Sequence, residues 1–288
     1  MPELPEVETV VRGLREALVG RTILAAEFPK PAGRMTNIDA DLLAARVQGQ
    51  RVRSLSRRAK YIVAALDRDT LLIHLRMTGR LYIREPQQSD PADAYLRVRF
   101  ALNDGHELRF SDARKFGRVL LTDAPDSILP ALGPEPLEPE FTLEAFAARL
   151  AGRKGVLKSL LLNQAFIAGV GNIYADEALN MARLHPLRTA DSLSSAEIKR
   201  LYHAIQQALE TGITMQGASI NWYRKPDGTK GEQQQHLRVY HDPRQEKDKR
   251  CPECGTPIQT MTVGQRGTHF CPKCQKVRRT AAKAHAKG

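Results

Sequence analysis

The chain has 288 residues, of which 44 are Lys or Arg and 32 are Asp or Glu, so its formal net charge is +12. That length suffices for two compact domains and a small appended module, and the charge favours a polyanionic partner, nucleic acid ahead of an anionic membrane surface. No apolar run approaches the roughly 20 residues that span a bilayer, and the acidic N-terminus is unlike a secretory signal, so we expect a cytosolic protein that does not enter membranes.

A helix and then short strands are predicted for the N-terminal half. Pro5 suits the first turn of a helix, and apolar residues recur at helical spacing up to Gly20: Val7, Val10, Val11, Leu14 and Leu18. Over residues 22–122, short runs rich in branched and aromatic residues predict antiparallel strands. Two alternating segments flank Asn103, Asp104 and Gly105, which predicts a hairpin. We therefore expect a β-sandwich or barrel.

A proline-rich stretch precedes a helical half. Residues 129–141 (LPALGPEPLEPEF) interrupt both periodicities, which is typical of an interdomain linker. Helices are predicted over 142–150, 156–166 and 172–184, and a fourth from a capping box of Ser194 and Glu197 to about Thr211. Residues 216–235 lack a stable period and predict a long loop, a feature that is usually functional or disordered.

The four cysteines of the chain lie close together. They are grouped as CPEC, a gap of 16 residues and CPKC: Cys251, Cys254, Cys271 and Cys274. Two such pairs suit one tetrahedral Zn²⁺ held by four thiolates, a structural site because no coordination position stays open. Two disulfides are the alternative, which a reducing cytosol disfavours. A basic tail at 277–288 is expected to be solvated and mobile.

The first residues place a potential nucleophile beside two carboxyl groups. A penultimate proline generally permits removal of the initiator methionine, which would expose the amine of Pro2. An α-amine has a pKa of about 7.7–8.0 against about 10.4 for lysine, so far more of it is free base at neutral pH. Such an amine can attack a sugar C1′ and form an iminium, with Glu3 and Glu6 available for proton transfer. Taken alone, these residues fit a helix start better, the glutamates complementing the helix dipole.

Six ordered motifs resemble formamidopyrimidine-DNA glycosylases. They are MPELPEVETV at the N-terminus, RRAKY around Lys60, HLRMTG at 74–79, DARKFG at 112–117, GVGNIYADE at 169–177 and the zinc module. Ordered motifs over nearly the whole chain are far more specific than one short pattern.

The resemblance implies a multidomain α+β fold with DNA held in the cleft between its halves. An antiparallel β-sandwich with an N-terminal helix would be followed by a helix-two-turns-helix domain and a zinc-finger β-hairpin. The expected bounds are 1–130 for the catalytic domain, 131–141 for the linker, 142–235 for the DNA-binding domain with a lesion-capping loop, 242–276 for the zinc finger and 277–288 for the basic tail.

The resemblance also implies a bifunctional enzyme of base-excision repair. Its partner would be double-stranded DNA that contains oxidised bases or abasic sites, and family precedent suggests a monomer with one structural Zn²⁺. The processed Pro2 would displace an oxidised purine, 8-oxoguanine or a formamidopyrimidine, and form a Schiff base. Glu3 would be the essential acid and Glu6 would support proton transfer, with Lys60 beside them. Successive β- and δ-elimination would then cut the strand on both sides of the abasic sugar.

Several residues match family positions that hold the phosphates flanking the lesion: Lys60, His74, Asn172 and Arg266. Backbone contacts supply salt-dependent affinity without reading sequence, which suits an enzyme that must search any DNA. Without the resemblance, these would be a strand lysine, an edge histidine, an interhelical turn and a surface charge.

Other residues match positions that meet the damaged nucleotide. Met77, Arg114 and Phe116 would fill the space left by an everted base, and Lys158 matches a lysine linked to lesion contact. Arg114 implies a preference for cytosine opposite the lesion, which favours this branch over the endonuclease VIII branch and its oxidised pyrimidines. A non-catalytic DNA-binding relative is the other alternative, against which the intact Pro2 argues.

Overall fold

Helix α1 (Leu4–Leu18) begins where Pro5 occupies the first turn. Its predicted apolar face is buried, but not against one partner. Leu4 packs into the apolar cluster of the C-terminal half, whereas Val7, Val10 and Leu14 pack into that of the N-terminal half. Helix α1 therefore belongs to both cores, and it holds the first residues of the chain at the boundary between them.

Two four-stranded antiparallel sheets make up most of the N-terminal half. The structure, a computed structural model, describes residues 1–129, 132–242 and 244–277, so all but the first residue of the predicted basic tail lies outside the described residues. The strands of one sheet, in spatial order, are β1 (Ile23–Glu27), β6 (Leu96–Leu102), β7 (Glu107–Asp112) and β5 (Gly79–Arg84). Those of the other are β2 (Ser54–Arg58), β3 (Tyr61–Ala65), β4 (Thr70–His74) and β8 (Arg118–Thr122). Both sheets contribute to one buried apolar cluster, which confirms the β-sandwich.

The predicted hairpin is formed by β6 and β7, and Gly105 takes the positive φ of 85° in its turn. Two short helices in this half were not predicted. Helix α2 (Ala40–Val47) begins at Asp39, whose carboxylate accepts hydrogen bonds from two backbone amides, and helix α3 (Pro125–Ile128) is a single turn. Helix α2 buries only two apolar residues, too few for a clear helical period against the strand pattern around it.

The C-terminal half contains the four predicted helices, two of them shorter than expected. They are α4 (Leu143–Leu150), α5 (Leu157–Leu162), α6 (Asn172–Met181) and α7 (Ser195–Thr214). The caps predicted at Thr142 and Ser194 are confirmed. Helix α5 ends early because the Asn163 side chain accepts a hydrogen bond from the Ala165 amide at 2.9 Å and turns the chain. Helix α6 ends because Arg183 adopts a left-handed φ of 56°.

The last ordered element is the hairpin of β9 (Gln259–Val263) and β10 (Arg266–Phe270). It is attached to α6 at two points. The backbone N–H of His269 donates to Asp176 at 3.0 Å, and Gln275, just beyond β10, accepts a hydrogen bond from Asn180 at 2.9 Å. The loop predicted at 216–235 contains no helix or strand apart from a 3₁₀ turn at Gln233–Gln235. Among the described residues, no helix is long and apolar enough to cross a membrane.

The described part of the linker is fastened to the N-terminal half through Glu135. Its carboxylate accepts hydrogen bonds from Arg57 at 2.7 Å, Arg58 at 2.8 Å and the Ala59 amide at 2.5 Å. Burial raises the pKa of the Glu135 carboxyl, but the Arg57 charge and the three donors outweigh it, so the pKa lies below its ordinary value. This contact fixes the linker against the turn that precedes Lys60.

Replacing Glu135 should destabilise the protein in a pH-dependent way. In Glu135→Ala the buried Arg57 keeps Glu8 as its one carboxylate partner among the described residues, and we expect the free energy of unfolding to fall by about 3 kcal/mol. Because the pKa of Glu135 is lowered by folding, this stabilisation is fully present above pH 4.5, the ordinary pKa of glutamate, and is lost as the pH falls below it. Urea unfolding at several pH values measures the difference, with exposed Glu140→Ala as the control. Equal stability of the two variants at pH 7 would contradict the prediction.

Candidate active site

A cleft of about 640 Å³ lies between the two halves. Six predicted site residues line it: Glu3, Lys60, His74, Met77, Asn172 and Arg266. Glu3 precedes α1, Lys60 lies in the β2–β3 turn, His74 ends β4 and Met77 lies in the turn after it. Asn172 and Arg266 are the first residues of α6 and β10. The fold thus brings together residues from both halves and from the cysteine-bearing hairpin.

A second cleft of about 250 Å³ adjoins the first. Pro2, Glu6 and Arg114 line it together with part of the predicted loop: Ala218, Ile220, Asn221, Trp222 and Tyr223. Met1 and Met77 line both clefts. Pro2 therefore lines the smaller cleft, while its two chain neighbours, Met1 and Glu3, line the larger one.

The Glu3 carboxylate lies at the N-terminus of α6. It accepts hydrogen bonds from the amides of Ile173 at 2.9 Å and Tyr174 at 3.3 Å, and its side chain is almost fully buried. An anion at this position is stabilised by the free amides and the dipole of the helix. A Cβ on Gly171 would lie 2.3 Å from Cδ of Glu3, so only glycine admits the carboxylate here. The GVGN turn thus accommodates Glu3 and also carries Asn172, for which a phosphate contact is predicted.

Glu6 connects three segments at the floor of the smaller cleft. One carboxylate oxygen accepts a hydrogen bond from the Glu3 amide at 2.8 Å, and the other accepts from the Tyr174 hydroxyl at 2.7 Å and the Ala218 amide at 2.8 Å. Burial, and then the charge of Glu3, raise the pKa of the Glu6 carboxyl above its ordinary 4.5 although the donors act in the opposite direction. Glu6 can therefore hold a proton close to Pro2 at a higher pH than an exposed glutamate.

Lys60 and His74 contribute two nitrogen-bearing side chains to the lining of the larger cleft. Burial lowers the pKa of the Lys60 ammonium, while Glu3 and Glu6 favour its charged form. Burial, with the charges of Arg76 and Lys60, lowers the pKa of His74 to about 3, so the ring is neutral at pH 7. Its Nδ1 accepts a hydrogen bond from the Arg76 amide at 3.0 Å, which leaves Nε2 as the protonated nitrogen. His74 can thus donate to an anion without carrying a charge.

A tight turn between β7 and β8 presents the predicted wedge residues. Phe116 is 52% exposed, and the Arg114 guanidinium lies 4.9 Å from the centre of its ring. The carboxylate of Asp112 accepts hydrogen bonds from the amides of Arg114 at 3.2 Å and Gly117 at 2.7 Å and from the Thr78 hydroxyl. Asp112 thus positions both this turn and the segment that carries Met77, a role that the sequence did not predict although Asp112 begins the DARKFG motif.

Lys158 does not present its ammonium to either cleft. Its side chain is completely buried, and Nζ donates to the Asn172 carbonyl at 3.0 Å and to Asp176. The other carboxylate oxygen of Asp176 accepts from the His269 amide on β10. The lysine predicted to contact the lesion is therefore an interior residue that supports Asn172 and the hairpin. Burial lowers the pKa of its ammonium, and Asp176 opposes this effect.

The four cysteine thiols fit one tetrahedral zinc ion. Their sulfur atoms all lie within 4.8 Å of one another, with Sγ–Sγ distances of 3.5 Å for Cys254–Cys271 and 3.9 Å for Cys251–Cys274. A tetrahedron with Zn–S bonds of about 2.3 Å has edges of about 3.8 Å. All four cysteines are free, so no disulfide competes with metal binding. The ion would join the two knuckles that flank β9 and β10, and thereby fix the strand that begins at Arg266.

Comparison with known proteins gives concordant matches. A model of the formamidopyrimidine-DNA glycosylase N-terminal domain matches residues 1–119, one of the H2TH domain of the same family 132–224, and one of a zinc finger found in FPG and IleRS 248–277. The formamidopyrimidine-DNA glycosylase of Symbiobacterium thermophilum is 45% identical over 281 residues, which cover 96% of this chain and 90% of the relative.

Solved structures agree with these matches. A mutant FPG of Lactococcus lactis in complex with Fapy-dG containing DNA superposes with a TM-score of 0.86 at 34% identity, covering 96% of this chain and 100% of that chain. MutM in complex with carbocyclic 8-oxo-G containing DNA has a TM-score of 0.85 at 34% identity, with 96% of this chain and 100% of that chain covered.

Loss of one thiolate should abolish zinc binding and loosen the hairpin. We expect Cys254→Ser to bind no zinc and its β9–β10 amides to exchange with solvent much faster, because metal binding and folding of such a small module are coupled. Elemental analysis and hydrogen exchange measure the two effects. Lys273→Gln, an exposed change in the second knuckle, is the matched control. A hairpin that stays protected in zinc-free Cys254→Ser would show that contacts with α6 suffice to fold it.

Proposed function

The chain belongs to the formamidopyrimidine-DNA glycosylase family, and on that premise we propose that it excises oxidised purines from double-stranded DNA and cleaves the strand at the resulting abasic site. The observation that carries this proposal is the place of Pro2 in the lining of the smaller cleft beside Glu6, directly before Glu3, which lines the larger cleft. The larger cleft offers cations for a DNA backbone, and the smaller one offers an aromatic and polar lining for a single base.

The proposed reaction begins with removal of Met1, which frees the amine of Pro2. The amine attacks C1′ of the damaged nucleotide, and the glycosidic bond breaks with its electron pair passing to the base, which takes up a proton from solvent. The attacking nitrogen gives its proton to the Glu3 carboxylate. Glu3 then acts as the acid and delivers this proton to the ring oxygen O4′ as the C1′–O4′ bond breaks, which gives an iminium between Pro2 and C1′. Loss of a proton from C2′ then expels the phosphate on the 3′ side, and a second elimination expels that on the 5′ side. Glu6, whose pKa is raised by burial, supports proton transfer beside the amine.

Four residues of the larger cleft are proposed to hold phosphates that flank the lesion: Lys60, His74, Asn172 and Arg266. Their common lining of one cleft supports this assignment. The neutral Nε2–H of His74 would donate to a phosphate oxygen at any pH near neutrality. Asn172 and Arg266 would act together, because Asn172 donates to the Gly267 carbonyl at 2.8 Å. Zinc, when bound, supplies a structural cross-link that keeps this strand in place and contributes no reactive position.

Met77, Arg114 and Phe116 are proposed to occupy the space that the everted nucleotide leaves. Met77 is 38% and Phe116 52% exposed, so both apolar side chains are accessible to a duplex, which supports this role. For Lys158 we propose support of Asn172 in place of lesion contact. We further propose the domain division expected from the sequence, a monomer, and a cytosolic location, where reducing conditions would keep the zinc thiolates available.

The nucleophile can be tested by trapping. Borohydride should link the purified protein to a duplex with 8-oxoguanine opposite cytosine, and the adduct should be much weaker in Pro2→Gly, because the primary amine of a flexible glycine is a poorer nucleophile than the ring-held secondary amine of Pro2. Pro5→Ala, the neighbouring proline in the same helix start, should still be trapped. Mass spectrometry of the intact chain should show that Met1 is absent from the active fraction. Full trapping of Pro2→Gly would refute the assignment.

The loop side of the smaller cleft can be tested through Trp222. It is the only tryptophan of the chain, is 55% exposed and lies edge-on to Tyr95, with ring centres 6.4 Å apart. If it stacks on the everted base, Trp222→Ala should lose about 1–3 kcal/mol of transition-state stabilisation in the excision step, which is about 5- to 150-fold in rate. Cleavage of a preformed abasic site, which has no base to stack, should be nearly unchanged.

The exposed Leu187→Ala is the control for loss of surface apolar area. In the unaltered protein, a duplex with 8-oxoguanine should change the emission of Trp222 more than an abasic duplex does. An equal loss of both activities in Trp222→Ala would mean that the residue supports the fold of the loop and does not contact the base.

A further inference from the structure

A third cleft, of about 600 Å³, lies on the other side of the wedge turn. Phe116 lines it, and so do five basic residues: Lys30, Arg34, Arg97, Lys115 and Arg118. The resemblance and the two clefts near Pro2 leave these five residues without a role. They come from three separate segments, so the fold, and not local sequence, concentrates the charge.

The positive charge of this cleft is not neutralised by the protein. Within the described ranges, none of the five has a carboxylate oxygen within 4.0 Å, whereas Arg80 and Arg84 nearby in the same sandwich share Asp90 at 2.6 and 2.8 Å. Arg97 is only 6% exposed, and its Nε has no hydrogen-bond partner, although Nη2 donates to the Pro31 carbonyl at 2.9 Å. A buried guanidinium with an unused donor is costly, and a bound anion would offset that cost. A merely solvated basic surface would not bury one of its charges.

The wedge turn relates this cleft to the proposed substrate. Arg114 lines the smaller cleft with Pro2, while Lys115 and Phe116 line the third. Lys115 has a left-handed φ of 60°, which turns the backbone so that consecutive side chains can line different clefts on the two sides of the turn. If the wedge enters the duplex with the damaged strand on the Pro2 side, the complementary strand runs along the side of Phe116.

We propose that the third cleft binds backbone phosphates of the strand opposite the lesion. This inference rests on the proposed function and extends it, because it assigns a second set of phosphate contacts to a different strand. Such contacts would hold the undamaged strand against Phe116 while the damaged nucleotide is everted, and they would add to the salt dependence of binding without reading sequence.

The first test compares two double variants. Lys30→Gln/Arg34→Gln removes two exposed charges of the cleft, and Arg68→Gln/Lys199→Gln removes one arginine and one lysine that are exposed, unpaired with carboxylates among the described residues and outside all three clefts. With a duplex that carries a tetrahydrofuran abasic analogue, the cleft variant should bind several-fold more weakly. Its slope of log Kd against log salt should fall by about 1.8, about 0.9 for each phosphate that the protein no longer neutralises, and that of the control should not. Equal slopes for the two variants would overturn the proposal.

The second test identifies the strand. Neutral methylphosphonate linkages opposite the lesion should weaken binding by the unaltered protein but should not weaken the cleft variant further. The same linkages beside the lesion on the damaged strand should weaken both proteins alike. A cleft variant that is insensitive to the damaged-strand linkages instead would overturn the assignment to the opposite strand.

Activity separates this proposal from the proposed function. Both double variants should retain the single-turnover excision rate at saturating enzyme, since neither changes a residue near Pro2. Absence of excision and trapping in the unaltered protein would contradict the proposed function, whatever the binding assays show. Intact excision with no salt-slope difference would contradict only the third cleft.

Discussion

The contact on which the site depends is the Glu3 carboxylate at the N-terminus of α6. It fixes the first turn of α1 to the helical half, because its oxygens accept from Ile173 and Tyr174 while the Leu4 amide donates to the Gly169 carbonyl at 3.0 Å. The rest of α1 is packed in the β-sandwich. One helix therefore sets both the relative position of the two halves and the position of Pro2 between them. A small rotation of α6 would move Glu3 and Asn172 together, so the proposed acid and the residue proposed to hold a phosphate keep a constant distance from each other.

Burial of charge is the energetic cost of this arrangement. Glu3, Glu6, Lys60 and Lys158 are all nearly inaccessible, and a buried charge is tolerated only when opposite charges or hydrogen bonds compensate for lost hydration. Here the compensation is shared: Glu3 and Glu6 favour the charged form of Lys60, and Asp176 favours that of Lys158. The site is consequently held by a network whose members depend on one another. Electrostatic groups fixed in this way need little reorganisation when charge develops on a sugar or a phosphate.

Sequence patterns predicted much of the fold, and nine of the eleven catalytic and DNA-contact residues expected from the family resemblance line the two clefts. Strand alternation, the Asn103–Gly105 turn and the caps at Thr142 and Ser194 depend mainly on neighbouring residues. The sequence alone was therefore enough to predict them. The early ends of α5 and α6 depend on an Asn163 side-chain turn and a left-handed Arg183, which a helical period does not reveal. Lys158 was assigned to lesion contact because it matches a family lysine, and only the placement of Asp176 against it shows why it is interior. Asp112 and Tyr174 lay inside recognised motifs, but their partners are distant in sequence, so their roles required the tertiary structure.

The position of Met1 adds a steric requirement to the chemical one. Met1 is 44% exposed and lines both clefts, so in the proposed reaction it would stand on the route along which a nucleotide reaches Pro2. Its removal would free the amine that is proposed as the nucleophile and, at the same time, open the space between the two clefts beside that amine. Because Glu3 and Leu4 are anchored to α6 and Gly169, the new N-terminus stays in place when the preceding residue is removed. The amine is thus exposed on a chain end that is already ordered, and little further entropy has to be lost before it can attack.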